Sequence, residues 1–125
     1  MFQVHIVTVY VSDQDRALDF YVKTLGCEVR VDRMDGDERF VEVAPPGGGT
    51  RLYLAAERDG RRAGGPTGIT FNADDVYATH RALSERGVTF TQPPTPRENG
   101  GIRSELVDPD GNRFLLNQHP ARRSG

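Results

Sequence analysis

Glu42 and Glu105 are the side chains of this chain best placed to move a proton. Glu42 is flanked by Val41 and Val43, and Glu105 is followed by Leu106. If those apolar neighbours turn to a core, the period-two alternation of a strand turns both carboxylates to the opposite face. A carboxylate on a half-enclosed face can act as a general acid or base. Beside a guanidinium it more often neutralises that charge. Arg51, Arg103 and Arg113 are the cations at hand, and pairing is the favoured reading. Tyr10 and Tyr53 offer ring faces for stacking, and Arg51 and Arg113 can hold an anionic group.

The remaining reactive residues suggest less. Of the histidines, His5 falls on the apolar parity of its strand and reads as a core-edge residue. His80 lies mid-helix, and His119 follows the last strand. The single cysteine, Cys27, excludes an internal disulfide and reads as a small buried residue at a strand start. No Ser/His/Asp spacing supports a triad. No GxGxxG follows a strand, and there is no P-loop. Gly47-Gly-Gly49 is a hairpin tip, because no helix follows it to cradle a phosphate. A net charge of −2 and a pI of about 5.9 argue against a nucleic-acid partner. No apolar run approaches the roughly 18 residues of a membrane span. A cytoplasmic, soluble protein is expected, with no membrane partner.

The elements that must position these residues come twice. Residues 4–29 read as a strand, a helix and the start of a second strand; residues 67–90 repeat them more weakly. Asp13 returns as Asp75, and Arg51-Leu-Tyr-Leu54 returns as Arg113-Phe-Leu-Leu116, both offset by 62. Such a repeat implies two copies of one supersecondary unit within a single 1–125 domain, module 1 at about 4–56 and module 2 at about 67–118. In the first, strand 4–11 leads to a helix over about 14–25, capped by Ser12 or Asp13 and stopped by Gly26. Its buried stripe is Leu18, Tyr21, Val22 and Leu25. Strands 27–32, 39–44 and 50–55 follow. The charged, glycine-rich stretch 57–66 connects the copies. In the second, strand 67–73 leads to helix 75–86, capped by Asp74, with Val76, Ala82 and Leu83 inward. Strand 88–91 then enters a long loop over 92–101, whose prolines and glycines exclude regular structure. Strands 102–107 and 112–118 flank the Asp108-Pro-Asp-Gly111 turn, and residues 119–125 form a frayed tail.

Each helix must cover the apolar face of its own sheet. That assigns Val7, Val9, Val11, Leu52, Leu54, Ile69, Phe71, Phe114 and Leu116 to the core. The opposite face then carries Ile6, Thr8, Tyr10, Arg51, Tyr53, Thr70, Asn72, Arg113, Leu115 and Asn117. This mixture of apolar, aromatic and polar groups suits a small-molecule site, and these ten residues are the expected ligand-binding set.

Val11-Ser-Asp13, the run Arg16-Ala-Leu-Asp-Phe-Tyr21, Leu25-Gly26 and Asp108-Pro-Asp-Gly-Asn112, in this order and duplicated, resemble the vicinal oxygen chelate superfamily. This is the glyoxalase, bleomycin-resistance and extradiol-dioxygenase group. The resemblance covers roughly residues 4–118. It implies an α+β fold in which two βαβββ modules form a cupped open barrel, and a homodimer with pockets built in part by both subunits. It also implies a divalent metal held by His and Glu at four strand positions. Here those positions are Ile6, Tyr53, Gly68 and Leu115, of which only Tyr53 has a donor atom. The expectation is therefore a metal-free and cofactor-free pocket that binds a small organic molecule, as antibiotic-sequestering members do. The alternatives are a metal-dependent lyase, isomerase or dioxygenase with non-standard ligands, and a metal-free acid–base enzyme using Glu42 or Glu105.

Overall fold

The computed structural model describes residues 1–120. The Arg122-Arg123 part of the expected tail lies outside them. The chain divides into two compact units, Met1–Gly64 and Gly65–Gly125. The first contains β1 (Ile6–Val11), α1 (Gln14–Leu18) running on into a π-helical turn (Asp19–Thr24), β2 (Glu28–Asp35), β3 (Glu38–Ala44) and β4 (Arg51–Ala56). The second contains β5 (Gly65–Asn72), α2 (Val76–Glu85), β6 (Thr89–Pro96), β7 (Ile102–Val107) and β8 (Asn112–Gln118). No helix among the described residues is long and apolar enough to cross a membrane.

Each unit is βαβββ. The strand orders are β1-β4-β3-β2 and β5-β8-β7-β6. In both, the first strand lies parallel to the last and the other pairs are antiparallel. The helix packs on the apolar parity of the strands. Val9, Val11, Leu52 and Leu54 are buried in the first unit, as are Phe114 and Leu116 in the second. Each such side chain contributes about 1.5–3 kcal/mol by leaving water. Val7, Ile69 and Phe71 are half-buried on the same side, and Phe71 stacks on Phe114 at 5.1 Å.

The repeat is visible in the caps. Asp13 accepts from the Arg16 N–H at 3.0 Å, and Asp75 accepts from the Ala78 N–H at 3.1 Å. Each satisfies a donor that the first helical turn leaves without a partner. The cap of α2 is thus Asp75, not Asp74. Asp75 has the extended backbone of a capping residue (φ −134°, ψ 93°). Of the inward set expected on α2, Val76 and Leu83 are buried, but Ala82 is exposed.

The first helix also departs from a uniform α-helix over 14–25. The wider turn at Asp19–Thr24 buries Tyr21 completely, with Ala17 one turn before it. Leu18, Val22 and Leu25 are left half-buried. Gly26 ends the segment at φ +81°, a conformation that glycine adopts without strain. Gln14 fastens α1 to the sheet by donating to the carbonyls of Arg39 at 3.0 Å and Leu54 at 2.9 Å.

The expected long loop over 92–101 is mostly strand. β6 runs through Gln92-Pro-Pro-Thr-Pro96, and only residues 97–101 form a loop. Two facts reconcile proline with a strand. β6 is an edge strand, so it need not donate on its outer side. Its pairing with β7 also shifts register twice, between Phe90 and Gln92 and between Gln92 and Thr95. The turn expected at 34–37 is confined to Gly36 and Asp37, because β2 extends to Asp35. β5 begins inside the glycine-rich connection, at Gly65.

We expect Asp75→Ala to lower stability by about 1 kcal/mol and Asp74→Ala to change it by less than about 0.5 kcal/mol. The midpoints of urea unfolding check both.

Candidate functional site

The face of the first sheet turned away from α1 holds an aromatic pair and two satisfied ion pairs. Glu42 on β3 stands in register with Tyr53 on β4, and Arg51 donates to Glu42 Oε1 from Nη1 at 3.1 Å. Two residues back along β3, the Phe40 ring stacks on Tyr53 at 5.7 Å with 21° between planes. Two further back, Glu38 Oε1 accepts from the Tyr53 hydroxyl at 3.0 Å and from Arg58 Nη1 at 2.9 Å. A pocket of about 440 Å³ opens at this end of the sheet, against Glu38, Tyr53 and Arg58.

The segment after β4 turns back at Asp59 and Gly60, with Arg58 and Arg61 paired through their backbones. That turn sets Arg61 over the Tyr10 ring, 5.9 Å from its centroid, within cation–π range. Burial, and behind it the hydrogen bond to Glu38 and the charge of Glu38, push the Tyr53 phenol above the ordinary tyrosine value. The folded chain therefore favours the neutral phenol. Its contribution to stability is complete below the ordinary pKa of about 10 and is lost as pH rises through the folded value.

The second sheet repeats the charge arrangement with different neighbours. Glu105 lies opposite Leu115. It accepts from the Thr91 hydroxyl at 2.6 Å, and Arg113 Nε sits 3.6 Å from its Oε1. Thr70 and Asn72 on β5 pair in register with Leu115 and Asn117, and both are exposed. Asn117 lies opposite Arg103. Ile6 and Tyr10 on β1 are half-buried, whereas Thr8 between them is exposed. The ten expected residues thus divide between the non-helical faces of two sheets. Each of the two glutamates has an arginine beside it.

Other reactive groups stand apart from these faces. His5 precedes β1 and is exposed, not at the core edge, because the paired strand begins only at Ile6. His80 is half-buried, edge-on to Phe90 at 4.5 Å. His119 is exposed beyond β8. Burial pushes the Cys27 thiol up to about 11, which leaves it a thiol rather than a nucleophile at neutral pH.

The four positions at which the resemblance expects metal ligands do not fit a metal. Ile6 and Leu115 have no donor atom, and the Tyr53 hydroxyl is committed to Glu38. Gly68 lies where the β5–β8 register shifts, at φ +76°. A liganding side chain there would be strained. Among the described residues, no three His, Cys, Asp or Glu side chains gather as a metal-holding group.

Phe40, Glu38 and Arg58 were not among the expected residues. The first two share the strand parity of Glu42, so the alternation that placed Glu42 could have placed them. Arg58 lies outside the regular strands, and periodicity carries no signal for it.

The chain matches the model of the Glyoxalase/Bleomycin resistance protein/Dioxygenase superfamily over residues 3–116. It belongs to that superfamily. A superfamily member from Sphaerobacter thermophilus DSM 20745, known from a crystal structure, is 45% identical, with a TM-score of 0.89 over 95% of this chain and 98% of its own. The crystal structure of TnmS3, an antibiotic binding protein from Streptomyces sp. CB03234, is 36% identical, with a TM-score of 0.86 over 97% of this chain and 98% of that one. YetH of Bacillus subtilis (strain 168), an uncharacterized protein, is 34% identical over 119 residues, covering 93% of this chain and 98% of YetH. The superfamily match, over residues 3–116, takes in both βαβββ units.

In a spectrophotometric alkaline titration, the component lost in Tyr53→Phe is expected to titrate above pH ~10. Glu38→Gln should move that component down toward ~10 but leave a residue of the shift, because burial remains.

Proposed function

We propose that this superfamily member binds a small organic molecule, aromatic in part, on the sheet faces turned away from its helices. It does so without a metal, and it sequesters the molecule rather than transforming it. Antibiotics are the leading class. The carrying observation is the Phe40–Tyr53 stack, set between ion pairs that already neutralise the carboxylates of Glu38 and Glu42. Such a face offers ring surface to a ligand without exposing a bare charge to it. Glu42 and Glu105 serve here to hold Arg51 and Arg113 in place, not to transfer protons. The antibiotic-binding relative at 36% identity supports the ligand class. The donor-poor residues Ile6, Gly68 and Leu115 support the absence of metal. The functional form is a homodimer, which sedimentation of the purified chain checks.

Calorimetric titration of the full chain with a panel of aromatic antibiotics is expected to give at least one binder in metal-free buffer. Tyr53→Ala and Phe40→Ala should each weaken it by about 1–2 kcal/mol, on the order of tenfold. Equal affinity in wild type and both variants would sink the reading. So would binding that requires added Ni, Zn, Mn or Fe(II), accompanied by a thermal shift from the metal alone.

A further inference from the structure

On the second sheet, Arg103 of β7 and Asn117 of β8 face one another across the ladder as register partners. They alternate with buried Ser104 and Leu116 and so share the face turned away from the core. Arg103 Nε–H is a donor and Asn117 Oδ1 an acceptor. Both atoms are buried, and neither has a hydrogen-bond partner. Among the described residues, no other buried side-chain nitrogen or oxygen is left in this condition. Folded proteins ordinarily avoid such a state, because a buried unpaired polar atom has lost its water and gained nothing in exchange.

The local chemistry could have relieved it. Glu105 is two residues along β7, on the same strand parity as Arg103. Its Oε1 is instead taken up by the Thr91 hydroxyl and by Arg113. Arg103 makes no ion pair among the described residues, and its half-buried guanidinium lacks the counter-charge that buried cations usually find. A donor and an acceptor at opposed positions of one face are thus both buried and unpaired, while the carboxylate of Glu105 is used elsewhere.

We propose that Arg103 and Asn117 are a polar anchor for a ligand carboxamide whose C=O and N–H lie along one edge, as in a primary amide or a lactam. Arg103 Nε–H donates to the amide oxygen, and Asn117 Oδ1 accepts from the amide N–H. This rests on the binding reading above and narrows it to a ligand class. A purely apolar ring leaves both atoms unpaired. A ketone satisfies only Arg103. A carboxylate satisfies Arg103 but sets an oxygen against Asn117 Oδ1. Sites built to hydrogen-bond a particular group discriminate strongly against analogues that lack it, for this reason.

The test is amide-resolved NMR of the isotope-labelled full chain, titrated with benzamide, acetophenone and benzoate. Benzamide should perturb β7 and β8 and bind at least about fivefold more tightly than either analogue. Arg103→Met and Asn117→Leu should each bring the three probes within about twofold of one another, while the spectra show the fold retained. Asn117→Leu should also raise the thermal midpoint, because it removes a buried acceptor without a partner. A benzamide preference that survives in both variants overturns the anchor, as does benzoate binding more tightly than benzamide. Perturbations confined to amides around Phe40 and Tyr53 would defeat the anchor and spare the binding reading. Probes that perturb no amide on either sheet would defeat the anchor, and the binding reading falls with it when the antibiotic panel also gives no binder.

Discussion

The parallel pairing of first strand to last within each unit is the constraint from which the rest follows. A parallel pair cannot be closed by a tight turn; the chain passes from first strand to last through a helical crossover to the far edge of the sheet, β2 or β6, and then two antiparallel returns. The crossover lies on one face and claims the apolar parity of every strand it covers. Val9, Val11, Leu52 and Leu54 are buried for that reason. The other parity is then released from core duty in all four strands at once. Tyr53, Arg51, Glu42 and Phe40 are neighbours because β3 and β4 both present their second parity on the same side.

That released face is not simply a solvated one. The carboxylates on it are matched to guanidiniums across the ladder, Glu42 to Arg51 and Glu105 to Arg113. Glu38 joins Tyr53 to Arg58. Partly exposed pairs of this kind add little to stability, typically under about 1 kcal/mol. Their effect is on what the face can do: they leave ring surface accessible and keep free charge low. The superfamily's usual chemistry calls for the reverse, uncommitted His and Glu donors converging on a cation. Gly68, at a register shift with a left-handed backbone, offers neither a side chain nor a backbone suited to a liganding residue.

The fold was legible in the sequence because its signals are local and repeated. Period-two alternation, an Asp before each helix and a Gly after it were enough to place every strand and both helices approximately. What the sequence hid was set by tertiary context. Pro93, Pro94 and Pro96 read as loop residues until β6 is known to lie at an edge. The wider turn at Asp19–Thr24 has no counterpart in helical periodicity. Asp74 and Asp75 are chemically equivalent as caps, and only the backbone angles separate them. At the candidate site, the pairing of Glu42 with an arginine followed from the cost of a buried charge, while the choice of Arg51 among three arginines came from the strand register. Arg58 did not follow, because its contact with Glu38 depends on how a short irregular turn folds back. The buried donor and acceptor of Arg103 and Asn117 were equally hidden, since an absent partner leaves no trace in a sequence.

The prolines of β6 have a consequence for how this chain behaves in a crowd. An open sheet edge is a template on which another strand can add, and chains that expose one tend to aggregate. Pro93, Pro94 and Pro96 have no N–H, so β6 is short of three backbone donors, shared between its outer side and the side facing β7 because strand N–H groups alternate in direction. The double register shift keeps it from lying flat. The β2 edge of the first sheet is guarded by other means. β2 carries Glu28, Arg30, Asp32, Arg33 and Asp35 in close succession, so an incoming strand would have to bring a matching pattern of charge. One edge is thus closed by lost hydrogen-bonding capacity and the other by electrostatic mismatch, and the two units resist the same hazard by unrelated physics.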